Sequence, residues 1–580
     1  MHYVSYKQRR LLRLLLLGLL SLLLAACSTT STPELNPETE NSPAAAFAYV
    51  ATTKINDDAS QAEIEAVYGG SAIVFKPEAG FAILGFSETE ASLTTLATDP
   101  NTGAFSSPEV SASGVDAWAG GVDAWAGGWD AWAGGWDAWA GGHGAWSGGH
   151  GAWSGGESQQ GPASNETAFD QIKLDEAHAL SRKFGDGVTV AVIDTGVDLN
   201  HNMLSGSLTS SSSWKDYIGN DSYPQEASWG SAKGHGTAAA GIVLQVAPRA
   251  KIMPIRVLDA NGVGDTDDVI LAIDHAVAKG ADVINLSAGA NVYVAALQAM
   301  IDYANSQGVY VVASSGNNGR NGQITYPAKS ATEGDYAKLI SVSSVDKDNN
   351  PSSFASHSAA LQYFAPGENI RTAYPGNKTA KAKGTSFAAP IVSGALALAK
   401  SEVSSSYHNR LNKYLKTSTD AIGYGDGRLN IEQFIRNLPS FVEPTYQLVN
   451  ARSSKCIEAE QSSVYQYACD GYHAQIWKIQ TDGDSYKIIN NSTGKVLDVN
   501  GTTSSAWNVN GQSIIQVSDN GNVDRRWYLL PGTNGYSTVV SKASGKCLHI
   551  ANGSYSNSAK VDQYTCNGAN SMQFEIRRVN

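Results

Sequence analysis

Three short segments carry the residue types of an activated nucleophile. They are Val192-Ile193-Asp194-Thr195-Gly196, Gly234-His235-Gly236-Thr237 and Gly384-Thr385-Ser386-Phe387-Ala388-Ala389-Pro390. A serine hydroxyl is a weak nucleophile at neutral pH and needs an adjacent base to take its proton. An imidazole serves once a carboxylate has fixed its tautomer by accepting the Nδ1 proton. Asp194, His235 and Ser386 supply one group of each kind, each in a tight glycine-containing context. Taken singly they have plain readings, because Asp-Thr-Gly, Gly-His-Gly and Gly-Thr-Ser all occur in ordinary turns. Asp-Thr-Gly also belongs to carboxylate-pair peptidases, which need a second, matching carboxylate.

The elements around them decide whether they can meet. Val188-Thr189-Val190-Ala191-Val192-Ile193 is a β-branched apolar run ending at Asp194. A buried parallel strand of that kind delivers its last side chain to the carboxyl edge of a sheet, where open α/β folds place their sites. His235 opens an Ala/Gly-rich helical stretch over 237–244, and its flanking glycines are expected to let substrate backbone approach. Ser386 starts a second helical run over 387–400, so its hydroxyl and amide sit at the positive end of a helix. Pro390 is compatible with that helix if it stays in the first turn. Further strands and helices alternate through 165–438, as in Lys251-Ile252-Met253-Pro254-Ile255-Arg256-Val257-Leu258, then 267–279, then 282–286. That rhythm predicts a parallel sheet with helices on both faces.

In the order Asp, His, Ser, and with those flanks, the chain resembles the subtilisin-like serine peptidases of the S8 family. The resemblance implies catalytic roles for Asp194, His235 and Ser386. It also makes Asn317, in Ser314-Ser315-Gly316-Asn317-Asn318-Gly319, the oxyanion donor, and Ser287, Ala288 and Gly289 the strand that pairs with a peptide substrate. Gly425-Asp426-Gly427-Arg428-Leu429-Asn430 is similar to the family's closing motif. One departure concerns calcium: residues 236–247 run straight on to Pro248 without the insertion that usually carries the strong site. No cofactor is expected for the chemistry, no metal-ligand set is assigned, and structural calcium stays open.

At 580 residues the chain has room for several domains. Its formal charge of −13 argues against a nucleic-acid partner. Lys7, Arg9, Arg10 and Arg13 precede an apolar run over 14–26, the pattern of an export signal. The run ends Leu24-Ala25-Ala26-Cys27, which resembles a bacterial lipoprotein cleavage box and makes Cys27 the lipidated residue. Export of a membrane-anchored precursor follows, with the mature enzyme extracellular. Residues 27–46 read as a tether. Residues 47–110 read as a small α+β module with strands near 46–51 and 80–86 and helices over 59–68 and 88–97. Its place ahead of a peptidase resembles a propeptide. Residues 115–156 are six seven-residue repeats holding eight of the chain's 13 tryptophans. Two glycines per repeat oppose a helix, so a linker is expected; His143 and His150 lie seven apart within it.

Residues 441–580 change character, with short strands, Asn/Gly turns and three similar units. Lys455-Cys456-Ile457-Glu458, Lys495-Val496-Leu497-Asp498 and Lys546-Cys547-Leu548-His549 mark their starts. The threefold repeat resembles a ricin-B-type β-trefoil. That resemblance puts Cys456 with Cys469 and Cys547 with Cys566, and it makes carbohydrate a possible partner. Only Asp498 keeps the acid used for sugar binding, and the Gln-x-Trp motif is whole only at Gln475-Ile476-Trp477. The full expectation is a multidomain peptidase acting on proteins or peptides, with a propeptide and a trefoil targeting module. The rival is a glycan-binding envelope protein with a vestigial peptidase domain.

Overall fold

The computed structural model describes residue 47, residues 49–87, the strands at 103–106 and 110–112, and residues 165–579 apart from 320–323, 334–337, 483–484, 502, 504–506 and 532–535. Cys27, the tether, the helix expected over 88–97 and the tryptophan repeats with His143 and His150 lie outside those residues.

The central sheet has nine strands. Their order is Thr419–Asp420, Arg428–Leu429, Tyr363–Pro366, Leu339–Val345, Tyr310–Ser314, Val283–Leu286, Thr189–Asp194, Lys251–Arg256, Lys215–Asp216. All pairings are parallel except that of Thr419–Asp420 with Arg428–Leu429. Both faces are covered. Val190 and Val192 pack with the helices His235–Val246 and Thr385–Glu402, while Ala191 and Ile193 face Thr266–Ala278 and Ala295–Ser306. This alternation of side chains explains why the strands read as unbroken apolar runs. From Thr189–Asp194 the chain passes through the short edge strand Lys215–Asp216 to the neighbour on one side, Lys251–Arg256, and then crosses to Val283–Leu286 on the other. The order therefore reverses at Asp194, which is where such sheets open a crevice at their carboxyl ends.

The N-terminal module is a four-stranded antiparallel sheet in the order Ser71–Lys76, Phe81–Phe86, Tyr49–Lys54, Gly103–Ser106, with one described helix, Gln61–Tyr68. Ser60 caps that helix reciprocally with Glu63. The strand Ser71–Lys76 is absent from the sequence expectation. Val50, Val74 and Ile83 join the apolar core formed by Thr266–Ala278 and Ala295–Ser306. Lys76 reaches Asp274 at 2.7 Å and lies over the Tyr303 ring.

The C-terminal domain is all β, a closed structure of twelve strands in which the first, Tyr446–Asn450, pairs with the last, Gln573–Arg578. Its threefold character is explicit in the hydrogen bonds. Ser453 donates to Gln466 at 2.7 Å, Thr493 to Gln516 at 2.6 Å and Ser544 to Gln563 at 2.6 Å. Trp477, Trp527 and Phe574 fill equivalent core places, and truncating one to alanine costs roughly 3–5 kcal/mol. Disulfides join Cys456 to Cys469 and Cys547 to Cys566, each worth about 3 kcal/mol on the chain-entropy account. The domain meets the end of the helix Leu174–Leu180 through Arg578, which donates to the Leu180 and Ser181 carbonyls, and through Tyr446, whose hydroxyl donates to the Ala179 carbonyl at 3.3 Å. Among the described residues no helix is long and apolar enough to cross a membrane.

Candidate active site

Asp194 ends its strand at the carboxyl edge, fully buried. Its Oδ1 accepts from the Thr195 amide at 2.7 Å and from His235 Nδ1 at 2.7 Å. With Nδ1 facing a carboxylate oxygen, the proton is held there and Nε2 is left as the base. Burial pushes the imidazole down, but the Asp194 charge and hydrogen bond, joined by Glu226, outweigh it and the result is a rise. His235 Nε2 is buried and has no hydrogen-bond partner among the described residues.

His235 is the first residue of its helix, entered through Gly234 in the left-handed region at φ 86. The glycines beside it do a different job from the one expected. A side chain on Gly234 would meet the Tyr374 ring at 2.7 Å, and one on Gly236 would fall 2.1 Å from the Gly196 carbonyl. Gly234 makes room for the Tyr374 ring, and Gly236 admits the Gly196 backbone, drawing the His235 helix against the loop that follows Asp194.

Ser386 lies in the first turn of Thr385–Glu402, whereas Pro390 sits beyond that turn. Proline has no N–H to give the carbonyl four residues back, so the Ser386 carbonyl is left without its helical donor. The Ser287 hydroxyl takes that place at 2.7 Å. Asn285 Nδ2 donates to Ser287 Oγ at 2.9 Å, and Ser393 Oγ donates to Asn285 Oδ1 at 3.0 Å. This relay of side chains ties the strand ahead of Ala288 to the Ser386 backbone. The Phe387 ring stands 5.1 Å from the His235 imidazole.

Asn317 is fixed from the same helix end. Its Oδ1 accepts the Thr385 amide at 2.9 Å, and the Gly316 amide donates to Thr385 Oγ1 at 3.2 Å. A Cβ on Gly384 would come within 3.3 Å of Asn317 Nδ2, so that donor lies against the residue two before Ser386.

Ala288 and Gly289 form an edge strand. Ala112 and Ser111 pair with them antiparallel, and Ser111 and Val110 pair on their other side with Val263 and Gly264. The chain's own segment 110–112 therefore lies as a middle strand between these two. Gly289 must lack a side chain, since a Cβ would sit 2.5 Å from Thr325 Oγ1.

Sequence reasoning missed Glu226. It is buried and accepts from Thr195 Oγ1 at 2.5 Å, Thr237 N at 2.9 Å and Thr237 Oγ1 at 2.7 Å. A lone glutamate in a polar loop carries no pattern that would have marked it. Among the described residues no group of three or more His, Cys, Asp or Glu side chains stands placed for a metal ion. In the C-terminal domain Asp498 is buried, with Oδ2 accepting from Arg525 Nε at 3.1 Å. Burial and the neighbouring Asp524 push its carboxyl up to about 6 against the pull of Arg525.

Residues 185–434 match the subtilase family, and 437–517 with 523–580 match ricin-type beta-trefoil lectin domain-like proteins. Subtilisin Savinase of Lederbergia lenta is 36% identical over 266 residues, 43% of this chain and 92% of its own length. An alkaline protease of Alkalihalobacillus alcalophilus is 36% identical over 266 residues, and the match spans 65% of that protein. Thermitase of Thermoactinomyces vulgaris is 37% identical over 271 residues, 44% of this chain and 92% of its own length.

Proposed function

Since the chain belongs to the subtilase family of serine peptidases, we propose that it is an exported endopeptidase, made as a lipid-anchored precursor and cutting proteins through an acyl-enzyme. The Ser386 hydroxyl attacks the scissile carbonyl while His235 Nε2 takes its proton. That proton then goes to the leaving amine, and a water repeats the sequence to free the acid. Asp194 keeps the Nδ1 proton in place and stabilises the imidazolium. Asn317 Nδ2 and the Ser386 amide hold the oxyanion. The reading asks for no cofactor in these steps. It is carried by the buried 2.7 Å Asp194–His235 bond, with Nε2 left open near the helix that begins at Thr385. A fluorophosphonate should label the wild type and leave Ser386→Ala unlabelled. A vestigial domain on a glycan-binding protein would give no label in either.

Residues 47–110 act as the propeptide in this reading. Support comes from the four-stranded sheet packed on the helices Thr266–Ala278 and Ala295–Ser306, and from the strand Val110–Ala112 held between two others. Antiparallel to Gly289 and Ala288, that strand runs towards Ser287, whose hydroxyl touches the Ser386 carbonyl. Self-cleavage then falls shortly after Ala112, and the N-terminus of the mature protein, read by mass spectrometry, should lie there. Carbohydrate binding by the C-terminal domain would use at most one unit, that of Asp498, with Arg525 sharing the carboxylate. Glycan-array binding by the Ser386→Ala protein, lost on adding Asp498→Ala, is the expected result.

A further inference from the structure

The Asp194–His235 pair is held from behind by a second buried acid. Glu226 Oε1 accepts from Thr195, the residue after Asp194, and Oε2 accepts twice from Thr237, in the first turn of the His235 helix. The threonines also serve as acceptors: Thr195 Oγ1 takes the Gly236 amide at 3.0 Å, and Thr237 Oγ1 takes the Asp198 amide at 2.8 Å. The Glu226 backbone is bound to the same loop. Its amide donates to the Val197 carbonyl at 2.9 Å, and the Val197 amide donates to Pro224 O at 3.0 Å. Gly196 has no room for a side chain, because a Cβ would lie 2.7 Å from Pro224 O. One carboxylate thus bridges the two segments whose separation sets the Asp194–His235 distance.

We propose that Glu226 is a positioning residue for catalysis, clamping the Asp194 loop to the His235 helix and placing a second acid behind the imidazole. The inference rests on the peptidase reading above. Its geometric part follows from the hydrogen bonds. A carboxylate buried this deeply is tolerated only when its oxygens are bonded, and here every donor belongs to the Asp194 and His235 segments. A displacement near 1 Å at such a site costs up to about a hundredfold in rate. Its electrostatic part follows from what faces the carboxylate, namely Asp194 from the central strand, His235 from its helix and Tyr374 from the strand Ile370–Tyr374. Burial pushes the Glu226 carboxyl up to about 7, with the Asp194 charge adding to the rise against the threonine hydrogen bonds. Ionised, it favours the imidazolium, so the two groups titrate together. A neutral side chain of the same shape should let His235 lose its proton at lower pH.

The test uses the full chain, with active sites counted by fluorophosphonate titration and turnover measured on a chromogenic peptide anilide. Glu226→Gln should keep kcat per titrated site within about tenfold while moving the acid limb of kcat/KM down by about half a unit or more. Glu226→Ala should lower kcat per titrated site about ten- to a hundredfold with KM changed little. It should also weaken the low-field proton resonance of the Nδ1–H to Asp194 bond. The inference is overturned if Glu226→Gln leaves the acid limb where the wild type has it. It is equally overturned if Glu226→Ala loses only titratable sites while those remaining turn over normally. Should Glu226→Ala fail to fold, the acid limb of Glu226→Gln decides. A wild type that neither labels nor hydrolyses peptides refutes the peptidase reading itself, whereas an active wild type with silent Glu226 variants refutes only this inference.

Discussion

His235 is useful as a base only when neutral, and the groups around it set where that happens. Asp194 supplies the main upward push against burial, so activity should fall as pH drops through a value above the ordinary imidazole range near ~6.5. Asp194→Asn removes the charge and the Nδ1 acceptor together. It should lower kcat by about 10⁴ and move the remaining acid limb down, which a pH profile of kcat/KM would read. A limb unmoved by that change would mean that another group controls it. Asn317 is tested separately. Its Oδ1 is engaged by the Thr385 amide, and Nδ2 is the side chain's donor, the group an oxyanion would meet. Asn317→Ala should cut kcat about 10²- to 10³-fold with little change in KM. An increase in KM at constant kcat would instead make it a substrate-binding residue.

At the level of elements, the strand proposed to pair with substrate and the helices make separate demands. Ser287–Gly289 and 313–316 carry no acidic side chain that would pair with lysine or arginine, and small residues there leave space for a large one. Cleavage should favour apolar or aromatic residues before the scissile bond. A peptide-library profile dominated by basic residues at that position would refute this. The helix Leu174–Leu180 carries a pH liability of its own. His178 is fully buried, with Nε2 against the Val246 carbonyl at 2.8 Å, and burial pushes it down to about 4. The unfolded chain binds that proton near its ordinary value, whereas the folded chain resists until about 4. The associated stability is therefore present above the unfolded value and is lost as pH falls, in total about 3 kcal/mol. His178→Gln should flatten the fall of the unfolding midpoint between neutral and mildly acid pH. An unchanged slope would assign the acid lability elsewhere.

For the whole molecule the order of parts along the chain matters most. Cys27 precedes the N-terminal module that we propose as a propeptide, and the strand Val110–Ala112 lies between both and the subtilase domain in sequence. One cut shortly after Ala112 would open the cleft and detach the enzyme from a lipid anchor in the same step. A precursor with several acyl chains on Cys27 stays on the membrane, since one chain alone binds only marginally. Cell fractionation should find soluble catalytic domain for the wild type and membrane-bound full-length chain for Ser386→Ala. Catalytic domain that stays with the membrane after verified cleavage would count against release. A cut after Ala112 leaves the trefoil joined to the domain it follows, whose helix Leu174–Leu180 its Arg578 caps.

Residue type and periodicity made much of this legible in advance. Apolar β-branched runs with helical stretches between them dictate a parallel sheet covered on both faces, because only that arrangement buries such strands. A threefold repeat of Lys-Cys-Ile-Glu-like starts dictates a closed β structure, since one unit cannot cover its own apolar face. Asp194, His235 and Ser386 could be named because their chemistry is specific and their flanks are local. The tertiary structure decided what depends on contacts between distant segments. Pro390 looked acceptable only within a first turn. In the fold it lies beyond that turn, and the carbonyl it leaves open is taken by Ser287, 99 positions away. The glycines around His235 looked like room for substrate, yet they are filled by the Tyr374 ring and the Gly196 backbone. Asp498 reads as a sugar acceptor in sequence, and only the fold sets Arg525, 27 positions on, against the same carboxylate. Glu226 had no local signature at all, for its role exists only where Thr195 and Thr237 converge on one buried carboxylate. Periodicity reports which side of an element faces inward, whereas a hydrogen bond between segments is set by where folding brings their ends together.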